Sequence, residues 1–550
     1  MNTVAELIID ALVKSGVKRI YGLPGDSLNP LMDAIRRNTA IEFIQVRHEE
    51  GAALAASFEA KYTGDIAVCM GTSGPGSIHL LNGLYDAKME ASPVLALTGQ
   101  IETDLIGTDY FQEVDMMHLY SDVSVFQARI INPDSAGHLV KRAIFEARTH
   151  PGVAHLDLPV DILRSQAKLQ DDYGMTERPA VSMEPDLGAI VKAVDQSQHP
   201  VIMYGRGAAG CADGLKDLST RIGAPLIYAL NGKGILSDTD PRVMGGLGLL
   251  GTRPSVAAMK KADLVVLIGT SFPYVQFLPE GVKYIQVDSN PLKIGKRVRP
   301  DLYCVCDAGV FLRKLKVQEK QKKYYDDLRQ EKEKWLENLK AVEEGKSDPI
   351  KPEAVVSAVS SKLQDNAVIV ADTGNVTVWA ARNLRLKEGH RFLFSSWLGT
   401  MGAGVPGAIG ASFASGRPVL AIVGDGSFAM TMMELITARK YSRPVKYIVF
   451  NNSKLGMIKF EEEVMGYPEF GVDLYNPDFE ALARSIEIEA FTARKYSELD
   501  AALTELMAAR GPAVLNVFVD SNERPMPPKI NMEQAKGYVT SILREKFSGI

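Results

Sequence analysis

The sequence predicts an α/β protein built from three doubly wound parallel-sheet domains in series, and three observations predict it. First, 550 residues exceed what one hydrophobic core supports, since single cores stop growing at about 250–300 residues. Second, short apolar runs alternate with helical patterns along the chain, the arrangement of parallel sheets whose crossovers are helices. Third, two stretches lacking that alternation divide it into three units.

In the first unit, residues 1–170, a helical pattern from Val4 to Ser15 precedes strand-like runs at Ile66 to Met70 and Val94 to Thr98. The polar, proline-bearing stretch from Ser165 to Asp186 has neither period and suits a linker. The second unit, 185–316, has runs at Val201 to Tyr204, Pro225 to Ala229, Leu264 to Ile268 and Tyr284 to Val287. Within 317–350, Gln318 to Lys346 turns heavily charged, with Lys and Glu at helical spacings around Trp335 and Leu339, as in a solvated connecting helix. The third unit, 351–550, has runs at Val368 to Ala371, Val419 to Val423 and Tyr447 to Phe450, each followed closely by Gly or Asn. There is no solenoid repeat. Each unit could take a nucleotide-like ligand at its strand ends.

Composition excludes several classes of function. Hydrophobic residues at 46% and charged residues at 23% are the balance of a soluble globular protein. A net charge of −5 with both signs interspersed provides no basic field for nucleic acid or an anionic membrane, so small-molecule partners are expected. The apolar N-terminal stretch contains acidic residues and no small-residue cleavage site, which predicts a cytoplasmic protein. No window reaches the roughly 18 uninterrupted apolar residues of a membrane span. Four cysteines fit a reducing compartment, and the Cys304, Cys306 pair lacks partners for zinc, so both read as small buried side chains.

The sharpest signal is in the third unit, where the strand AIV runs into Gly424-Asp425-Gly426 and the strand YIVF runs into Asn451-Asn452. An Asp carboxylate and an Asn amide at neighbouring strand ends supply hard oxygen ligands for Mg²⁺. The glycines admit phosphates to the backbone, and a helix expected after Gly426 would favour anions at its start. A GDG sequence alone is also a common tight turn. Three further segments accompany it: Arg47-His48-Glu49-Glu50-Gly51 before an Ala-rich helix, Gly71 to Gly76 after the strand DIAVCM, and Leu398 to Gly404. Singly, each has a plainer reading: a helix-start glutamate favoured by the helix dipole, a strand-to-helix turn, and a Met filling a core gap.

Four such segments in one order resemble the pyruvate oxidase and acetolactate synthase group of thiamin-diphosphate enzymes, from Met1 to about Lys546. The resemblance implies a thiamin-diphosphate-binding fold with a central FAD-binding-like domain. It casts Glu49 as the glutamate that activates the cofactor at its aminopyrimidine and Met401 as the apolar wedge that bends it. It further implies thiamin diphosphate contacts from Gly25, Ser27, Gly74, Pro75, Gly76, Asn82, Gly399, Thr400, Gly424, Gly426, Ser427, Leu455, Gly456, Met457 and Ile458, with Mg²⁺ on Asp425, Asn452 and the Lys454 carbonyl. In that group Glu49 and the GDG site belong to different subunits, which implies a homodimer or homotetramer.

In the central unit Gly205 to Gly210 forms a G-x-G-x-x-G, but the next strand ends near Asn231 rather than an acidic residue, which disfavours an NAD ribose site. The resemblance implies FAD instead, held by Gly205, Arg206, Gly207, Asn231, Gly248, Leu249, Gly269, Thr270, Ser271, Phe272, Asp288, Ile294 and Asp307. The alternative is a flavin-free domain that packs the other two. Glu461 stands where biosynthetic acetolactate synthases place tryptophan and pyruvate oxidases glutamate. Phe111 and Gln112, within Tyr110 to Glu113, resemble the oxidase residues nearest substrate and flavin; their plainer reading is a surface loop. The carboxyl end, MEQAKGYVTSILREKFSGI, resembles quinone-linked pyruvate oxidases up to the last helix without their lipid-binding tail, so no stable membrane association is expected. The expected reaction is oxidative decarboxylation of pyruvate to acetate or acetyl phosphate. The rivals are carboligation of two pyruvates to acetolactate and a non-catalytic cofactor-binding subunit.

Overall fold

The computed structural model describes residues 2–167, 176–177, 185–320, 323–525 and 540. Much of the expected linker between Ser165 and Asp186, and the carboxyl end from Met532 apart from residue 540, lie outside the described residues.

The strands, in chain order, are β1 Asn2–Thr3, β2 Arg19–Gly22, β3 Glu42–Gln45, β4 Ala67–Gly71, β5 Val94–Gln100, β6 Ser124–Arg129, β7 Val153–Pro159, β8 Gln166–Ala167, β9 Pro200–Tyr204, β10 Leu226–Tyr228, β11 Val243–Gly246, β12 Leu264–Ile268, β13 Lys283–Asp288, β14 Leu302–Val305, β15 Val368–Ala371, β16 Arg391–Leu393, β17 Val419–Gly424, β18 Val445–Asn451, β19 Glu489–Ala493 and β20 Ala513–Phe518. Apart from the β1–β8 antiparallel pair, they form three six-stranded sheets, ordered β3-β2-β4-β5-β7-β6, β11-β10-β9-β12-β13-β14 and β16-β15-β17-β18-β20-β19. Every pairing within these sheets is parallel. The α/β expectation of three doubly wound parallel sheets therefore holds.

Helices cover both sheet faces, so the central strands read as continuous apolar runs rather than alternating ones. All seven residues of β5 and of β18 are buried. Counted from the first strand of each sheet, the outer two share one order, 2-1-3-4-6-5, whereas the central sheet has the 3-2-1-4-5-6 order of dinucleotide-binding folds. In such sheets ligands bind at the carboxyl ends where the strand order reverses. These crevices lie between β2 and β4, β9 and β12, and β15 and β17.

The outer units meet through two helices. Glu49–Thr63 is buried along most of its length, because sheet neighbours cover one side and helix Gly404–Ser415 the other. The approach is close enough that a Cβ on Gly410 would lie 2.1 Å from the Ala55 carbonyl oxygen and one on Gly407 2.7 Å from the Phe58 ring. Lys61 crosses this contact, ion-paired to Asp86 at 2.6 Å and donating to the Phe394 carbonyl at 3.1 Å. The charged helix, Lys323–Glu343, is not solvated on every side. Leu328 is fully buried, Lys332 donates to the Asp238 and Asp240 carbonyls, and Glu343 pairs with Arg385. Burial pushes the Lys332 ammonium down to about 8, so a face of this helix straps the central unit to the third.

Candidate active site

At the third crevice β17 ends on Gly424, and Asp425 itself opens helix Asp425–Thr431. The helix expected to begin after Gly426 starts two residues earlier, at Asp425, and breaks at Thr431, whose hydroxyl donates to the Gly402 carbonyl at 2.8 Å. Asp425 is 2% exposed; its Oδ2 accepts from the Ser453 amide and from Asn476 Nδ2, both at 2.7 Å. Burial pushes this carboxyl up, and those donors oppose the shift. Asn452 follows the end of β18, and its Oδ1 accepts from the Lys454 amide at 3.0 Å. The turn between them carries Ser453 at φ +54, left-handed backbone of the kind that clusters at functional sites.

Gly424, Asp425, Gly426, Ser427, Asn452, Lys454, Leu455, Gly456, Met457, Ile458, Gly399, Met401 and Glu461 all line one cavity of about 780 Å³, within the roughly 300–1,000 Å³ of small-molecule sites. Its carboxylate, amide and carbonyl oxygens are a donor set for a hard divalent cation. The Asn375 Oδ1, on the same wall, is buried without a hydrogen-bond partner, as expected of a polar atom waiting for a ligand. The residues present therefore fit a Mg²⁺-diphosphate group.

Sequence reasoning missed Asp372, directly after β15. This carboxylate is 1% exposed and accepts from the Thr373, Gly402 and Gly404 amides at 2.7, 3.1 and 2.8 Å. Burial pushes it up to about 6. It fixes the loop that presents Gly399 and Met401. The available signal was an Asp at a strand's carboxyl end, VIVAD. Asn476, which orients Asp425, had no such signal.

At the first crevice Glu49 is the first residue of its helix and 5% exposed. Its Oε2 lies 3.0 Å from His79 Nδ1, and a Cβ on Gly76 would stand 3.0 Å from its Oε1. Glu434, also missed, reaches across from the third unit to accept from the Arg47 and His48 amides at 2.9 and 3.0 Å, which fixes the entry to this helix. Gly25 packs on Thr72, and Ser27 Oγ contacts Thr72 Oγ1 at 2.8 Å and accepts from the Ser73 amide. Gly74, at φ +68, abuts Gln112, itself at φ +62, and Pro75 opens helix Pro75–His79. Phe111 is 73% exposed. Asn82 donates to Glu50 at 2.6 Å and to Thr400 at 2.9 Å, so these two bridge the outer units and Thr400 does not line the cavity. No first-unit residue of this group lines the 780 Å³ cavity; the two sets touch through the Asn82–Thr400 hydrogen bond.

At the central crevice Arg206, Gly207, Asn231, Gly269, Thr270, Ser271, Phe272 and Asp288 line a second cavity of about 590 Å³. Gly205 and Gly207 press on the Gly269-Thr270 turn, where a Cβ on Gly207 would lie 2.7 Å from the Gly269 Cα. Asn231 Oδ1 is buried without a partner, a polar atom that a hydrogen-bond donor on a ligand would satisfy. Gly248 lies against Phe272 and Tyr274, and Leu249 lines the larger cavity. Ile294 and Asp307 do not reach the wall; Asp307 instead caps helix Ala308–Lys314 by accepting from the Gly309 and Val310 amides. Leu250, Tyr274, Phe394 and Ser396 line both cavities, so the two adjoin across these side chains. Cys304 and Cys306 lie apart from them, sulfur to sulfur at 3.0 Å, with Cys304 buried and Cys306 half-buried.

Three family models match the chain: the N-terminal TPP binding domain of thiamine pyrophosphate enzymes over residues 2–119, their central domain over 187–315 and their C-terminal TPP binding domain over 372–517. Among curated proteins the chain is 37% identical to YdaP of Bacillus subtilis, named only as a thiamine pyrophosphate-containing protein, over 99% of this chain and 96% of the relative. It is 33% identical to pyruvate oxidase of Lactiplantibacillus plantarum, over 97% and 91%. Acetolactate synthase 2 of Zea mays is 30% identical, over 95% and 86%. Among the described residues no helix is long and apolar enough to cross a membrane. Sheet orders, crevice residues and full-length similarity agree that the chain belongs to the thiamine pyrophosphate enzyme family that includes pyruvate oxidase and the acetolactate synthases.

Proposed function

We propose that this chain is a pyruvate oxidase: a thiamin-diphosphate-, Mg²⁺- and FAD-dependent enzyme that decarboxylates pyruvate and oxidises the two-carbon fragment to acetate or acetyl phosphate. The observation that carries the reading is that the two cavities adjoin, sharing Leu250, Tyr274, Phe394 and Ser396 in their walls. This supports electron passage over a short span between a ligand on the central sheet and one at Asp425.

Asp425, Asn452 and the Lys454 carbonyl would hold Mg²⁺, with Gly424, Gly426 and Ser427 against the diphosphate. Arg206, Gly207, Asn231 and the Gly269 to Phe272 turn would hold FAD. When bound, thiamin diphosphate supplies a carbon nucleophile and an electron sink for the 2-oxo acid, and FAD a two-electron acceptor. Glu49 would hold and release a proton at its carboxyl oxygens, which are largely buried beside the exposed His79. Met401 supplies apolar support, and Glu461 presents a carboxylate where the reacting carbon would sit. Phe111 and Gln112 belong to the half-site bearing Glu49. Because that half stays apart from Asp425 within a chain, a second copy would complete each site, at least as a homodimer. We assign the reaction to the cytoplasm.

Carboligation to acetolactate is the rival, since synthases share this similarity over most of the chain. Anaerobic incubation of the holoenzyme with pyruvate, following flavin absorbance and products, tests the choice. Flavin bleaching with acetate or acetyl phosphate is expected. Unchanged flavin with accumulating acetolactate would overturn the oxidase assignment.

A further inference from the structure

We propose that His79 is a positioning residue for Glu49, with His48 fixing the plane of its ring. This rests on the reading of Glu49 given above. The Glu49 carboxyl is buried, and His79 Nδ1 at 3.0 Å is its closest polar side-chain contact. When Glu49 is ionised it only accepts, so this nitrogen then carries the proton and donates; when Glu49 holds its own proton, it can donate to the same nitrogen. The His48 ring stacks on His79, with centroids 4.4 Å apart and planes 28° apart. His48 is itself held at both ends: its amide donates to Glu434, and its Nδ1 accepts from the Glu50 amide at 3.2 Å. One Glu49 oxygen is thereby tied to His79 while the other faces Gly76, so the carboxyl has a single orientation.

His48, Glu49 and His79 also bring potential ligand atoms within 4.8 Å of one another, a His₂Glu set that zinc accepts elsewhere. The hydrogen bonds argue against coordination through Nδ1, since both Nδ1 atoms are engaged in the contacts that orient Glu49 and cap its helix; coordination through Nε2 is what the Zn²⁺ measurement below tests.

The test compares His79→Gln, whose amide can still donate, with His79→Leu, which cannot, measuring kcat, the KM for pyruvate, thermal midpoint, and thiamin diphosphate binding to the apoprotein by tryptophan fluorescence. Misplacement of a reacting group by about 1 Å can cost about a hundredfold in rate. His79→Leu should therefore lower kcat about a hundredfold with KM and thermal midpoint little changed, and weaken cofactor binding about tenfold. His79→Gln should recover most of both. Equal losses in the two variants, or wild-type behaviour in both, would overturn the proposal. So would Zn²⁺ alone binding the apoprotein at micromolar concentration and being lost in His79→Leu, which would mark a cation site. Glu49→Gln serves as the separate control. If it retains turnover, the reading of Glu49 fails; if it loses turnover while the His79 variants behave as wild type, only this inference fails.

Discussion

The third unit gathers its chemistry and the first disperses it. Around Asp425, thirteen of the residues anticipated from sequence line one cavity, and the acid is already oriented by Ser453 and Asn476. Around Glu49 the same kind of crevice, on a sheet with the same strand order, holds an oriented carboxyl whose neighbours line neither that cavity nor the central one: Phe111 is largely exposed, Ser27 and Thr72 hydrogen-bond to one another, and Gly74 abuts Gln112. Two sheets with one topology have thus been given unequal halves of a task. The Asp425 half is a finished receptacle, and the Glu49 half is a surface that needs something laid against it. Within the chain the outer units meet along the helix pair Glu49–Thr63 and Gly404–Ser415, at Glu434 and at the Asn82–Thr400 bond, and none of these contacts makes Glu49 part of the Asp425 cavity wall.

The sharpest way to break this comparison is to disable each half in a different chain. Glu49→Gln and Asp425→Asn should each lower turnover about a thousandfold when expressed alone, within the range removed with a general acid or a charge-bearing ligand. Co-expressed, they should recover roughly a quarter of wild-type activity. About half of the dimers would be mixed, and in each of those one site carries both lesions and the other neither. If both halves came from one chain, no mixture would contain an intact site, and co-expression would restore nothing.

How much of this was legible in sequence follows from what each residue depends on. Gly424-Asp425-Gly426 and Asn451-Asn452 could be read because each sits at the end of an apolar run, so local pattern alone puts them at a sheet's edge. Glu49 was legible for the same reason. Asp372 escaped, although VIVAD has that form, because nothing adjacent reveals that its partners are amides 30 and 32 positions away. Glu434 escaped for a stronger reason: it lies mid-segment in MMELIT and acts on amides 387 and 386 positions earlier. Ile294 and Asp307 show the opposite case, in that neither lines the central cavity. Both lie near the central sheet's strand ends in sequence, but Asp307 is turned onto its own helix as a cap. The charged helix misled by composition, since Lys332 and Glu343 spend their charge on buried partners rather than on water.

A smaller effect should come from Asp372, which holds the Met401 loop on the finished half. Its carboxyl is pushed by burial up to about 6, above the ordinary 3.9 or so of the unfolded chain. The folded state therefore holds the proton more tightly, and stability is greatest when the group is protonated. It should decline as pH rises from about 4 to about 6 and then level off. The span of about two units corresponds to about 2–3 kcal/mol at most. In Asp372→Asn that decline should be missing from urea-unfolding midpoints measured across the window. A decline of unchanged size in the variant would move its origin to another group, such as Asp157, which burial likewise pushes up to about 6.

The smallest effect concerns the link between the halves inside one chain. Asn82, expected from sequence to touch the cofactor, donates its amide to Glu50, beside Glu49, and to Thr400, beside Met401. If this bridge couples the two outer units, Asn82→Ala and Thr400→Val should not be additive. Each should cost about 0.5–1.5 kcal/mol of stability as a net hydrogen bond, and the double variant should lose less than their sum, with a coupling of at least about 0.5 kcal/mol. Since each chain's Glu49 half and Asp425 half would serve different sites, the same bridge would mechanically join one site to the other. Additive losses would mean that Asn82 and Thr400 act separately, and the contrast between the halves would then extend to their mechanics as well as their chemistry.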